Sequence, residues 1–195
     1  MTLNDAARKA RLRDYLDQSR TAALWKTENL SESALRLPLV PSGSSILGII
    51  NHLAFTEFGY FSYCLKRPVT NQRALDLFKL DDPLGDFVVE KEVSSAEVRE
   101  FYQQAISASN AAIDELELTA PAFVPWWGEQ SATTLEHLLI HMCTETARHA
   151  GQLDLLRELL DGSIGFTRGN TNLPDLSPTE WKEHYERLKG IAEAL

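Results

Sequence analysis

Apolar residues recur at helical spacing in four long stretches of the chain. In the first, residues 3–29, Leu12, Tyr15, Leu16, Ala22 and Ala23 share a face with Arg, Asp and Gln between them, and no Pro or Gly interrupts. The second opens at Ser44 or Ser45, either a suitable N-cap, and runs to about Lys66, short of Pro68. Its Ile46, Leu47, Ile49, Ile50, Leu53 and Phe58 cover most of the circumference, which predicts a central helix. In the third, Ser94 and Glu97 have the spacing of a capping box. An amphipathic stripe follows from Val98 through Phe101, Tyr102, Ala105 and Ile113, ending near Glu117. The fourth runs over residues 133–160, with capping-box spacing at Thr133 and Glu136, an apolar face including Leu138, Met142, Leu153 and Leu156, and Gly162 as a stop.

The segments between are of several kinds. Ser31, Ser33 and the breakers of residues 38–43 make a connector. Residues 70–93 read as a long connection holding Asp76, Asp81, Asp82 and Asp86, with a helical turn near residues 74–78; its length suits a crossover between parallel neighbours. Residues 121–128 carry two prolines and the adjacent Trp126 and Trp127, which predicts a loop over the bundle end. Those indoles either wall a pocket or cap the core. After an irregular stretch from Ser163, the run Ser177-Pro178-Thr179-Glu180 opens a last short helix with Trp181, Tyr185 and Leu188 on one face. No segment alternates convincingly enough for a strand. The expectation is all-α: a four-helix bundle forming a single domain over 1–195, with a long connection between helices two and three, and with 163–195 as a loop and short C-terminal helix packed on it.

Composition narrows the function. The 195 residues suit one domain with a real core. Hydrophobic content of 44% and charged content of 24% are ordinary for a soluble protein. A net charge of −9, from 28 acidic and 19 basic residues, argues against a nucleic-acid surface. An anionic small molecule stays compatible, since it needs only one or two local cations. Cys64 and Cys143 lie in apolar helical stretches, and reduced core thiols are expected rather than a bridge. Residues 1–13 lack an apolar signal core and no run of about 20 apolar residues occurs, so a cytoplasmic protein with no membrane partner is expected.

Polar intruders on these helices carry the candidate chemistry. His52 interrupts the most apolar stretch, in a stripe of Gly48, His52, Thr56 and Gly59. Small residues around a histidine leave space for a substrate, or else let another helix approach closely. Glu145 and His149 are four residues apart, about 40° around the axis and one turn up, so both side chains reach one ion. A carboxylate and two imidazoles suit a divalent metal: zinc first, with nickel, iron or manganese also compatible. Three protein ligands leave a coordination position open, where water or a thiol becomes a nucleophile at neutral pH. His137 and His141 have the same spacing and form a rival pair; spacing alone does not choose. Glu57 falls on another side of its helix from His52. Arg148 is expected in an ion pair with Glu145 or Asp154, Gln152 beside the cavity, Arg168 within reach of an anion, and His184 at the surface.

Two motifs resemble a known family. Ile49-Ile50-Asn51-His52-Leu53-Ala54-Phe55-Thr56-Glu57 and Leu138-Leu139-Ile140-His141-Met142-Cys143-Thr144-Glu145-Thr146-Ala147-Arg148-His149-Ala150-Gly151-Gln152 resemble the DinB-like superfamily, in a branch of unknown function related to mycothiol-dependent maleylpyruvate isomerase. The resemblance spans most of the chain, through Gly162. It implies a four-helix bundle whose metal triad comes from helices two and four, here His52, Glu145 and His149, and so sets the His137/His141 pair aside. Many members have three histidines; Glu at the middle position looks like the mycothiol-using branch. The implied activity is a metal-dependent thiol S-transferase or isomerase-like reaction on a small electrophile, with mycothiol as cosubstrate. A metal-dependent hydrolase and a non-enzymatic metal-binding stress protein or scaffold are the alternatives. Partners are then a small molecule, no nucleic acid, and a second copy if the chain dimerises.

Overall fold

The computed structural model describes residues 4–195; the expected helix start at Leu3 lies outside them. Asn4 caps α1 (Asp5–Trp25), its side chain accepting from the Ala7 amide at 2.8 Å. In the first connector Ser31 caps a five-residue helix, α2 (Glu32–Arg36), where the sequence suggested only breakers. Ser45 caps α3 (Ile46–Phe58), which continues as a π-helical turn over Gly59–Tyr63. The long connection holds α4 (Gln72–Leu77) and a 3-10 turn, Gly85–Phe87. The capping box of Ser94 and Glu97 opens α5 (Ser95–Glu115) as expected.

The segment before the last bundle helix differs from expectation. Pro121–Phe123 and Ala132–Thr134 pair as a small antiparallel ribbon, β1 and β2. Between them a 3-10 stretch, Pro125–Gln130, bends at Gly128, whose φ of 58° suits glycine. These strands are too short to leave an alternation in sequence. The ribbon also shifts the cap of α6 (Leu135–Asp161) by one residue: Thr134, not Thr133, accepts from the His137 amide. Gly162 ends α6 in the left-handed region.

Cross-helix contacts give the directions. Arg8 pairs with Glu136, and Lys26 with Asp154 at 2.6 Å, so α1 and α6 run parallel. Arg67 at the end of α3 pairs with Glu115 at the end of α5, so these are parallel too and residues 70–93 are a crossover. The Phe123 amide donates to the Cys64 carbonyl, bringing the end of α3 to the start of α6; those two run antiparallel. The four long helices form the expected bundle. Among the described residues no helix is long and apolar enough to cross a membrane.

The chain divides into compact units Met1–Ile164 and Gly165–Leu195. Within the second, Thr167 and Asn170 bridge, and Ser177 with Glu180 forms the capping box of α7 (Pro178–Glu193).

Buried apolar residues of the bundle cluster toward its two ends. One cluster joins Ile46, Leu47 and Leu53 to Val98, Phe101 and Leu156; the other joins Leu16, Phe61, Ile113, Leu135 and Met142. Between them lies a polar layer. In it Arg20 of α1 grips Glu57 of α3 bidentately, Nε to Oε1 at 2.7 Å and Nη2 to Oε2 at 2.6 Å, with exposures of only 2% and 0%. Arg20 Nη1 also donates to Asp17 and Asn110. Removing one partner leaves a buried charge. Arg20→Ala should therefore cost about 3–5 kcal/mol in urea unfolding, whereas replacing Arg20 with Met and Glu57 with Leu together should recover most of that loss.

Candidate active site

Helices α3 and α6 also carry the three residues singled out by spacing. His52 on α3 and Glu145 and His149 on α6 present donor atoms that all lie within 4.8 Å of one another. Glu145 Oε1 is 3.3 Å from His52 Nε2 and 3.1 Å from His149 Nε2. The two imidazoles meet edge-on, with ring centroids 4.7 Å apart.

The far nitrogen of each ring fixes its tautomer. His52 Nδ1 lies 2.7 Å from Asp86 Oδ2, and His149 Nδ1 lies 2.7 Å from Gln152 Oε1. A carboxylate and an amide oxygen only accept, so each Nδ1 carries the hydrogen and donates it. Each Nε2 of a neutral ring then turns a lone pair toward Glu145. Three acceptors facing one another repel unless protons or a cation lie among them. Without a metal, a proton shared among them relieves the repulsion. Burial opposes charging His52, but hydrogen bonds to Asp86 and Glu145 outweigh it and raise its pKa. Hydrogen bonds from His149 and then His52 hold the Glu145 carboxyl far below the usual carboxylate range.

A divalent cation satisfies the same lone pairs more directly. Ligand bonds of about 2.0–2.1 Å suit the 3.3 and 3.1 Å spacings from Glu145, and the 4.8 Å within which all three donor atoms lie would close on binding. The chemistry of the donors thus fits the metal site implied by the motifs.

Asp86 was visible in sequence only as one acid of a long connection. Its placement depends on one face of α3. A Cβ on Gly48 would lie 2.5 Å from the Phe87 carbonyl oxygen, so only glycine admits the 3-10 turn there. Asn51 Nδ2 donates to the Asp86 carbonyl at 2.6 Å, and Asn51 Oδ1 accepts from Arg73 Nε. The Phe87 ring stacks on His52 at 4.1 Å, tilted by 12°. Gly48, Asn51 and His52 together seat the turn that orients the histidine.

The glycine stripe thus divides between its two readings. Gly48 serves close approach. Thr56 and Gly59 instead line a cavity of about 410 Å³ that opens onto His52 and Glu145. The tryptophans divide as well: Trp126 walls this cavity, while Trp127 packs on the apolar cluster at that end. His141 lies between Tyr60 and Trp127, with centroids at 4.7 and 4.9 Å, and His137 packs on Trp127. The rival pair is thereby taken up in aromatic packing. His137 Nδ1 shares a hydrogen bond with Thr133. Arg148 is exposed, and its expected partners are engaged elsewhere, Glu145 with the histidines and Asp154 with Lys26. Glu57 belongs to the Arg20 pair, and His184 is exposed in the second unit.

A family model described as mycothiol S-transferase matches residues 11–162. The chain belongs to the mycothiol S-transferase family. No curated protein matches it. A mycothiol-related transferase or isomerase is the coarse activity this membership supports. The chain's own thiols are poorly suited to substitute for the cosubstrate. Both are free; burial pushes Cys64 up to about 12 and also raises Cys143.

Two outcomes follow. Asp86→Asn should weaken zinc binding about 10- to 100-fold in a chelator competition, while circular dichroism shows the helices intact. Iodoacetamide at pH 8 should leave Cys64 unmodified in the native protein and alkylate it after denaturation, as read by peptide mass spectrometry.

Proposed function

We propose that this protein is a metal-dependent S-transferase that joins mycothiol to a small electrophile. The observation that carries the proposal is the convergence of His52, Glu145 and His149 beside a cavity, in a member of a mycothiol-using family. A divalent cation held by these residues, zinc by preference, supplies a Lewis acid that makes a thiol acidic enough to ionise at neutral pH.

The remaining tasks fall to side chains. Asp86 and Gln152 hold the two imidazoles with Nε2 free to donate a lone pair. Phe87 covers one face of His52 and excludes water from it. Tyr60 and Trp126 bound the space where the electrophile lies. In the reaction the thiol proton passes to water. The sulfur lone pair forms a carbon–sulfur bond while the bond to the leaving group breaks, and that group departs with its electrons. For an epoxide the leaving oxygen stays attached and takes a proton from water.

The test is a conjugation assay. With mycothiol and 1-chloro-2,4-dinitrobenzene, zinc-loaded protein should release chloride and form the thioether, identified by mass. Chelation, Glu145→Gln or His149→Ala should each lower kcat/KM by about 100-fold or more. Turnover that survives chelation would defeat the proposal, as would ester hydrolysis without thiol in place of conjugation.

A further inference from the structure

The cavity wall bears on the kind of electrophile, an inference that rests on the S-transferase reading. Phe55, Phe78, Tyr60 and Trp126 supply its aromatic surface, with Phe55 and Phe78 at 4.7 Å and Tyr60 and Trp126 at 5.6 Å between centroids. Trp126 is 52% exposed, yet it is held in place: its indole N–H donates to the Tyr60 hydroxyl at 3.2 Å. Gly59 adjoins the indole: a Cβ there would meet Trp126 Cη2 in ordinary contact at 3.9 Å, a volume that glycine leaves unfilled. Tyr63 stacks on the indole with centroids 6.4 Å apart, and the side that lines the cavity is left to a flat, apolar partner.

The charged groups on the wall have one sign. Asp82 stands at the rim, and Asp86 and Glu145 lie further in; among the described residues lining the cavity, none is Lys or Arg. A divalent cation would not reverse this balance. Its two charges are met by Glu145 and the thiolate, and Asp86 adds a negative charge behind His52. A carboxylate on the substrate would find no cationic partner and would face like charge on the way in. We infer that the electrophile is an uncharged molecule with a flat aromatic body, and that electrophiles bearing a carboxylate are rejected.

Equilibrium dialysis of the zinc-loaded full chain with saturating mycothiol tests this, using two ligands that cannot react: 1,3-dinitrobenzene and 3,5-dinitrobenzoate. The neutral ligand should bind at least about tenfold more tightly. Trp126→Ala should weaken it by about tenfold. Leu80 is a half-exposed lining residue, and Leu80→Lys should bring the two affinities within about threefold by giving the carboxylate a partner. Equal affinities in the native chain, a preference for the benzoate, or no binding of either ligand would overturn the inference. The conjugation assay separates the two claims. No thioether from 1-chloro-2,4-dinitrobenzene defeats the transferase reading, whereas conjugation together with equal binding defeats only this assignment.

Discussion

One carboxylate oxygen, Glu145 Oε1, faces two imidazole nitrogens that both have lone pairs to give, and the central layer of the bundle is arranged around that encounter. Two imidazole lone pairs and a carboxylate do not gather in a half-buried place without something positive between them. Protons can supply the charge: hydrogen bonds to Asp86 and Glu145 raise the pKa of His52 against its burial, and those from the two histidines depress that of Glu145. A cation supplies it without changing the donors. The surrounding contacts all keep the lone pairs aimed. Asp86 and Gln152 hold the far nitrogens, Phe87 lies flat on one ring, and Gly48 gives up its side chain to admit the turn that carries two of these groups.

Such a layer has a cost in stability, and the bundle limits it by pairing every charge it buries deeply. Arg20 and Glu57, almost wholly excluded from water, form two parallel hydrogen bonds between α1 and α3. A buried pair of this kind adds little net stability over apolar packing. What it provides is alignment of α1 against α3. Apolar clusters on either side supply the burial that lets the polar layer persist. The site is set among those clusters, His52 between Ile49 and Leu53 on α3 and the Glu145/His149 pair between Met142 and Leu153 on α6.

Much of this was legible in sequence because it is periodic or local. Helical spacing located all four long helices, the Ser94–Glu97 and Ser177–Glu180 boxes marked the starts of α5 and α7, and the interval from Glu145 to His149 is a local geometric fact. What remained hidden depends on contacts between distant residues. Asp86 is 34 positions from His52, in a connection with no period, so no spacing rule could join them. Gly48 and Gly59 look alike in the stripe; only the turn packed against one and the cavity beside the other distinguish them. Trp126 and Trp127 are adjacent, and a single residue's rotation in the 3-10 stretch sends one to the cavity and the other to the core. Spacing also left His137 and His141 equal to Glu145 and His149. The motif resemblance favoured the second pair, and the neighbours of each pair show the physical difference: aromatic rings around one, acceptors around the other.

The site divides its parts between two kinds of structure, and this bears on how its chemistry can vary. The donors sit on α3 and α6, helices with capped N-termini and buried faces. Most of the cavity wall comes from elsewhere: Leu77 to Asp86 in the crossover, Trp126 in the stretch between the strands, and Gly59 and Tyr60 in the π-helical turn. Irregular segments tolerate substitution and change of length better than packed helices do. A chain built this way can alter which molecule it admits while leaving the donor geometry untouched. One segment is constrained from both sides, the turn at residues 85–87, because it contributes to the wall and also orients His52. Changes there would shift binding and metal affinity together, whereas changes at Trp126 or Leu80 should affect binding alone.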